Sequence, residues 1–254
     1  ETEEYPVRLC YMGNTFINHS SYQGRLKENT QMGAELIGMD SIEADAEMLA
    51  MVVDGLKKVG LKEFQVNIGH VDFIQSLMDA TGLEEEQKSE IHDLIINRNY
   101  FGVEEILDNQ DAADNIKAAF QVLSELMGGV EILDQAMEIA PNISAKLAVS
   151  YLQQLYKLLT LYGVEDHITF DLSMSGSYGY YTGVVFRAYT YGTGDAIVRG
   201  GRYDNLLGKF GENTPSIGFA IIIDELMSAL SRQKIPVETR EMNMIVYTEA
   251  TQKW

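Results

Sequence analysis

The chain of 254 residues holds one cysteine, four histidines and half as many basic side chains as acidic ones, 19 against 38. Each shortage excludes something. A lone Cys10 cannot form an internal disulfide framework, which points to a reducing compartment, by default the cytoplasm. His19, His70, His92 and His167 are scattered, without an H-E-x-x-H or a Cys/His cluster, so no transition-metal site is expected. A formal net charge of −19 leaves little with which to neutralise phosphates; nucleic acid is disfavoured as a main partner, although acidity also serves plain solubility. No apolar run reaches the ~18 residues that a membrane span needs, and the start does not resemble a signal peptide. The phosphate-binding G-x-x-x-x-G-K-[ST] and the nucleophile elbow G-x-S-x-G are missing. Gly192 and Gly194 form a G-x-G, but between strands rather than ahead of a helix, so no dinucleotide cofactor is expected either.

What is present reads as an α+β chain. Residues 7–13 and 29–38 have strand character and are joined by the polar loop 18–28. Ser41 stands as an N-cap before a helix over 42–60, with acids early, lysines late and Gly60 closing it. A strand over 63–70 and a helix over 71–80 follow. From 83 to 140 the pattern is short, acidic and helical (84–99, 102–110, 112–127), with no strand signal between, as in a helical insertion. After an amphipathic helix over 143–163 come strand candidates at 167–173, 184–191, 195–203 and 215–223, then a helix over 224–234. Strands on both sides of a helical insert predict one mainly antiparallel sheet. The first residues enter a strand without a cap, and 242-MNMIVYTEATQKW-254 opens what reads as a new strand and helix; a piece of a longer chain is expected.

Three glycine-rich or polar segments stand out: 31-QMGAE-35, 176-GSYGYYTG-183 and 199-RGGRYDNLLGKFG-211. Gln31 and Glu35 share one strand face, which suits a ligand with a cationic amine and hydrogen-bonding groups, or simply an exposed polar face. Gly200 and Gly201 mark a close backbone approach, or merely bend the sheet. Tyr178, Tyr180 and Tyr181 crowd a turn, yet from Ser173 to Phe186 there is no charged side chain. Such a turn can shape a pocket but offers no acid, base or phosphate chemistry.

In this order and spacing the segments resemble the catalytic core of histidyl-tRNA synthetase, a class II aminoacyl-tRNA synthetase. The stretch 8-RLCYMGNTFINHSSYQGRLKENTQMGAELIG-38 is similar to its motif 2 hairpin, 180-YYTGVVF-186 to its histidine-specific strand, and 200-GGRYDNLLGKFG-211 with 215-PSIGFAIIIDEL-226 to its glycine strand and motif 3. The resemblance implies a class II synthetase-like sheet flanked by helices, with residues 1–82 and 143–236 forming the core. Residues 83–142 would be a helical insertion and 237–254 the start of a further segment. It implies that Gln31, Glu35, Tyr181, Gly200 and Gly201 bind histidine.

The resemblance breaks where the family handles ATP. Motif 2 reads F-R-x-E in the synthetases and Phe16-Ile17-Asn18-His19 here. The R-G-L-D-Y-Y run becomes Gly176-Ser177-Tyr178-Gly179-Tyr180-Tyr181, and the motif 3 arginine becomes Glu225. Adenylyl transfer needs cations where negative charge develops, so the loss at Ile17, Gly176 and Glu225 removes the nucleotide half of the site. An amino-acid pocket without a nucleotide site resembles the regulatory-subunit family of ATP phosphoribosyltransferase, a catalytically silent synthetase relative in histidine biosynthesis. That resemblance implies no catalytic residues and L-histidine as ligand. It also implies a homodimer within a hetero-oligomer with short-form catalytic subunits, and feedback inhibition by histidine. The other readings are an active histidyl-tRNA synthetase and a stand-alone histidine sensor.

Overall fold

The computed structural model describes residues 4–18, 27–174 and 181–237. Its framework is one eight-stranded sheet made of β1 (Val7–Phe16), β2 (Glu28–Ile37), β3 (Phe64–His70), β4 (Met127–Gly128), β5 (Ile168–Asp171), β6 (Val184–Thr190), β7 (Val198–Arg202) and β8 (Ser216–Ile222). The spatial order is β1-β2-β8-β7-β6-β3-β5-β4, and every neighbouring pair is antiparallel except β3 and β5. The mainly antiparallel α+β architecture read from the sequence is therefore the observed one. Among the described residues no helix is long and apolar enough to cross a membrane.

The helices start and stop where local chemistry dictates. In α1 (Ile42–Lys58) the Ser41 side chain accepts from the Ala44 amide, Glu43 and Asp45 lie in the first turn, and Lys57 and Lys58 in the last. These charges complement the helix dipole, and Gly60, at φ +98°, turns the chain out of the helix. The helix α2 (Val71–Ala80) is capped by the His70 imidazole, which accepts from the Asp72 amide. Then come α3 (Glu85–Ile96), α4 (Tyr100–Asn109), α5 (Asp114–Leu123), α6 (Ile132–Ile139) and α7 (Ile143–Tyr162), the last closed by Gly163 in the left-handed region. The helix α8 (Ile223–Arg232) follows β8 without a break.

Two details of the 83–140 reading change. The helix expected over 84–99 ends at Ile96, because Arg98 takes a left-handed φ of +56° and Asn99 begins α4 by accepting from the Gly102 amide. A strand also interrupts the helices: Met127 and Gly128 pair with Asp171 and Phe170 of β5. Two residues carry no alternation to read; only the distant partner makes them a strand.

One face of the sheet carries the core. Leu36, Ile217, Phe219, Val198, Phe186, Val66, Ile68 and Phe170 are buried there with Leu49, Val52 and Leu56 of α1, Phe73 and Leu77 of α2, and Leu152, Leu155 and Leu159 of α7. Alternation along each strand sends the intervening residues to the opposite face. On β2 these are Gln31, Gly33 and Glu35, on β8 Gly218 and Ala220, and on β7 Arg199 and Gly201, with Tyr203 just past the end of β7. Of the candidate residues, Gln31, Glu35 and Gly201 thus lie on the face away from the helix layer.

Candidate amino-acid site

The register places Glu35 directly across from Gly218, and Gly218 directly across from Gly201. A Cβ at Gly218 would run into the Glu35 carboxylate, and one at Gly201 would lie 2.6–2.7 Å from the Tyr181 ring. Two neighbouring glycines therefore form a floor against which a carboxylate and a phenol ring lie side by side. The sequence demands glycine here because any side chain would fill the space those two groups occupy.

Tyr203, two residues beyond Gly201 on the same strand face, donates its hydroxyl to Glu35 Oε2. Burial pushes the Glu35 carboxyl above its usual range, and the Tyr203 bond works against that shift. The result is a half-buried, partly desolvated acceptor suited to a cationic partner. Gln31 sits four residues before Glu35 and donates from Nε2 to the Tyr11 hydroxyl at 3.2 Å. Tyr11 lies across from Gly33, whose own missing side chain makes room for the Tyr11 ring.

The structure sets Glu35 and Tyr181 against the Gly218–Gly201 floor, and Gln31 shares their sheet face four residues further along β2. Gly200 faces the other way: a Cβ there would strike the Phe186 ring in the core, so its role is close packing of the sheet. Ile17 lies exposed just past β1, its amide donating to the Lys27 carbonyl. Glu225 lies in the first turn of α8 beside Asp224, which accepts from the Thr30 amide. Two carboxylates therefore occupy the positive end of a helix, where a phosphate would otherwise be favoured. Gly176, Tyr178 and Tyr180 lie outside the described residues, as do His19 and Arg25.

Sequence reasoning missed Tyr203, Tyr11 and Gly218. For Tyr203 the signal was at hand: it lies inside the 200-GGRYD run, two residues from Gly201, and strand alternation alone puts it on the Gly201 face. Tyr11 and Gly218 needed the pairing registers.

A mainly antiparallel sheet with a glycine floor, a polar strand hairpin at one edge and a helix directly following the last strand defines a protein of the class II aminoacyl-tRNA synthetase fold. The chain belongs to the histidyl-tRNA synthetase family, whose model matches residues 1–226. It is 37% identical over 250 residues to the ATP phosphoribosyltransferase regulatory subunit of Acetivibrio thermocellus, covering 98% of this chain and 60% of that one. With the protein of the same name from Desulforamulus reducens it shares 42% identity over 231 residues, 91% of this chain and 58% of the relative. The crystal structure of an ATP phosphoribosyltransferase regulatory subunit/histidyl-tRNA synthetase from Bacillus halodurans matches with a TM-score of 0.83 at 33% identity, covering 89% of this chain and 59% of that one. The chain thus spans about three-fifths of the length of these relatives.

Proposed function

We propose that the protein acts as a non-catalytic regulatory subunit of ATP phosphoribosyltransferase in histidine biosynthesis and binds L-histidine over the Gly201–Gly218 floor. One observation carries this reading: Glu35, Tyr203 and Tyr181 are gathered on that floor, whereas the residues at the nucleotide positions are Ile17 and Glu225. A cationic amine fits the half-buried Glu35 carboxylate, and Tyr181 and Gln31 border the same face. An ATP phosphate would meet an apolar side chain and a carboxylate instead of arginines, which removes the electrostatic basis for adenylation. The names of the relatives support the same reading.

In this role the cytoplasmic chain joins short-form catalytic subunits, which hold the chemistry, as a homodimer within a hetero-oligomer. Histidine then inhibits by binding one arrangement of the complex better than another, since equal affinity for both would shift nothing. We read residues 83–142 as an insertion between two parts of the core, supported by the run of helices α3 to α6 between α2 and α7.

The test is to mix the full-length protein with a short-form ATP phosphoribosyltransferase catalytic subunit, with and without L-histidine. Activation that histidine reverses is the expected result. No activation despite histidine binding leaves a stand-alone sensor. Histidine-dependent ATP–pyrophosphate exchange by the protein alone overturns the regulatory reading in favour of a synthetase.

A further inference from the structure

The Tyr181 ring lies against Gly201. The next residue, Thr182, is held by hydrogen bonds to Arg202 and Asp204. The Thr182 amide donates to the Arg202 carbonyl at 2.8 Å. The Thr182 hydroxyl donates to Asp204 Oδ2 at 2.9 Å and accepts from the Asp204 amide at 3.0 Å. One step further, the Gly183 carbonyl accepts from the Val71 amide at 3.0 Å.

Asp204 is itself immobilised. Its Oδ1 accepts from the Ser216 amide at 3.1 Å and from Arg202 Nη1 at 3.2 Å. Arg202 crosses to the core face, where its Nε donates to Asp45 Oδ1 at 3.0 Å and its Nη2 donates to Asp45 as well. The Tyr151 hydroxyl completes the set, donating to Asp45 Oδ2 at 2.7 Å. A continuous polar chain therefore runs from Tyr151 on α7 through Asp45 on α1, Arg202 and Asp204 to Thr182. The neighbour of Tyr181 is tied to the most deeply buried ion pair of the described structure.

We propose that the Thr182 hydroxyl, held by Asp204, is a positioning group that fixes the Tyr181 ring over Gly201 and so sets the affinity of the pocket for its amino acid. The hydroxyl acts through Tyr181. Its two bonds to Asp204 cannot be replaced by packing, because a methyl group of the same size neither donates nor accepts. This rests on the histidine reading above, and the experiment separates the two.

The full-length protein carries Thr182→Val, which keeps the shape and removes the hydroxyl, or Thr182→Ser, which keeps the hydroxyl. L-histidine affinity is measured by calorimetry, amide hydrogen exchange is followed over residues 181–184 without ligand, and thermal melts verify folding. The valine variant is expected to exchange faster at 181–184 and to bind histidine about tenfold more weakly, the loss expected for one hydrogen bond of ordinary strength. The serine variant is expected to stay within about twofold of the parent on both measures. A folded valine variant with parental exchange overturns the staple. Faster exchange with parental affinity overturns its role in positioning. Failure of the parent protein to bind histidine overturns the ligand, while the exchange comparison still decides whether the staple orders this segment.

Discussion

Tyr203 donates its phenol hydrogen to the carboxylate of Glu35, and the Glu35 carboxylate in turn covers Gly218 on the neighbouring strand. Tyr203 lies on β7's extension and Glu35 on β2, with β8 between them, so the bond spans a strand that contributes only a glycine. Any side chain at 218 would separate the two. The half-buried acceptor over the floor exists because the middle strand gives way.

Glu35→Gln tests the charge of that acceptor. Burial raises the folded pKa of Glu35 above its ordinary value of 4.5, so the folded state holds the proton more tightly than the unfolded chain. Its stabilising contribution is full below pH 4.5 and lost as pH rises through the folded value. Near pH 7 the ionised carboxylate is a liability in the free protein. Glu35→Gln is therefore expected to melt higher than the parent at pH 7, with the gap closing below about pH 4.5. The same variant is expected to bind L-histidine at least about tenfold more weakly by calorimetry.

Gly201→Ala tests the floor. Its new methyl group would meet the Tyr181 ring at 2.6 Å and the Val184 carbonyl oxygen at 2.7 Å, and the second of these is backbone. The expected cost is about 1–3 kcal/mol in denaturant unfolding, with loss of histidine binding. Gly55→Ala is the contrast. Gly55 lies within α1 with nothing near its absent side chain, and alanine there is expected to stabilise by about 0.5–1 kcal/mol.

Arg202 and Asp45 form an ion pair with side chains 6% and 0% exposed. Burial pushes the Asp45 carboxyl up against the pull of Arg202, so the pair is held at a desolvation cost. Arg202→Met alone leaves that carboxyl without its cation and is expected to destabilise by about 3–5 kcal/mol. The double variant Arg202→Met with Asp45→Leu is expected to recover most of this loss in chemical denaturation.

His70 gives the protein an acid-side sensitivity. It is buried against Tyr151, at 5.6 Å between ring centroids, and caps α2 through the Asp72 amide. Burial lowers its folded pKa below the usual 6.5, opposed by the nearby Asp72 carboxylate. Its contribution is present above pH 6.5 and is lost as pH falls from there toward the folded value. His70→Asn keeps a capping acceptor and removes the titration. Midpoints of urea unfolding between pH 5 and 7 are expected to fall with pH in the parent and to stay flatter in this variant.

Much of the fold was legible in the sequence because local signals are strong where they occur. Ser41, the acid-to-lysine gradient and Gly60 fix α1 with no help from distant residues. Alternation around Gln31, Gly33 and Glu35 states which residues of β2 share a face. That an apolar side chain stands at 17 and a carboxylate at 225 is read from the sequence alone and needs no coordinates.

Only the tertiary structure decided who meets whom. No local pattern puts Gly218 beside both Glu35 and Gly201, sends Gly200 to Phe186 while Gly201 receives Tyr181, or brings Thr182 to Asp204. Those relations depend on the order of strands in the sheet and on registers fixed by burial of the opposite face against α1, α2 and α7. A shift of one residue would turn every one of these side chains to the other side. The sequence by itself determined which residue types alternate on β2 and that Ile17 and Glu225 carry no positive charge; the register, set by the core behind the sheet, determined which of these groups face one another over the glycine floor.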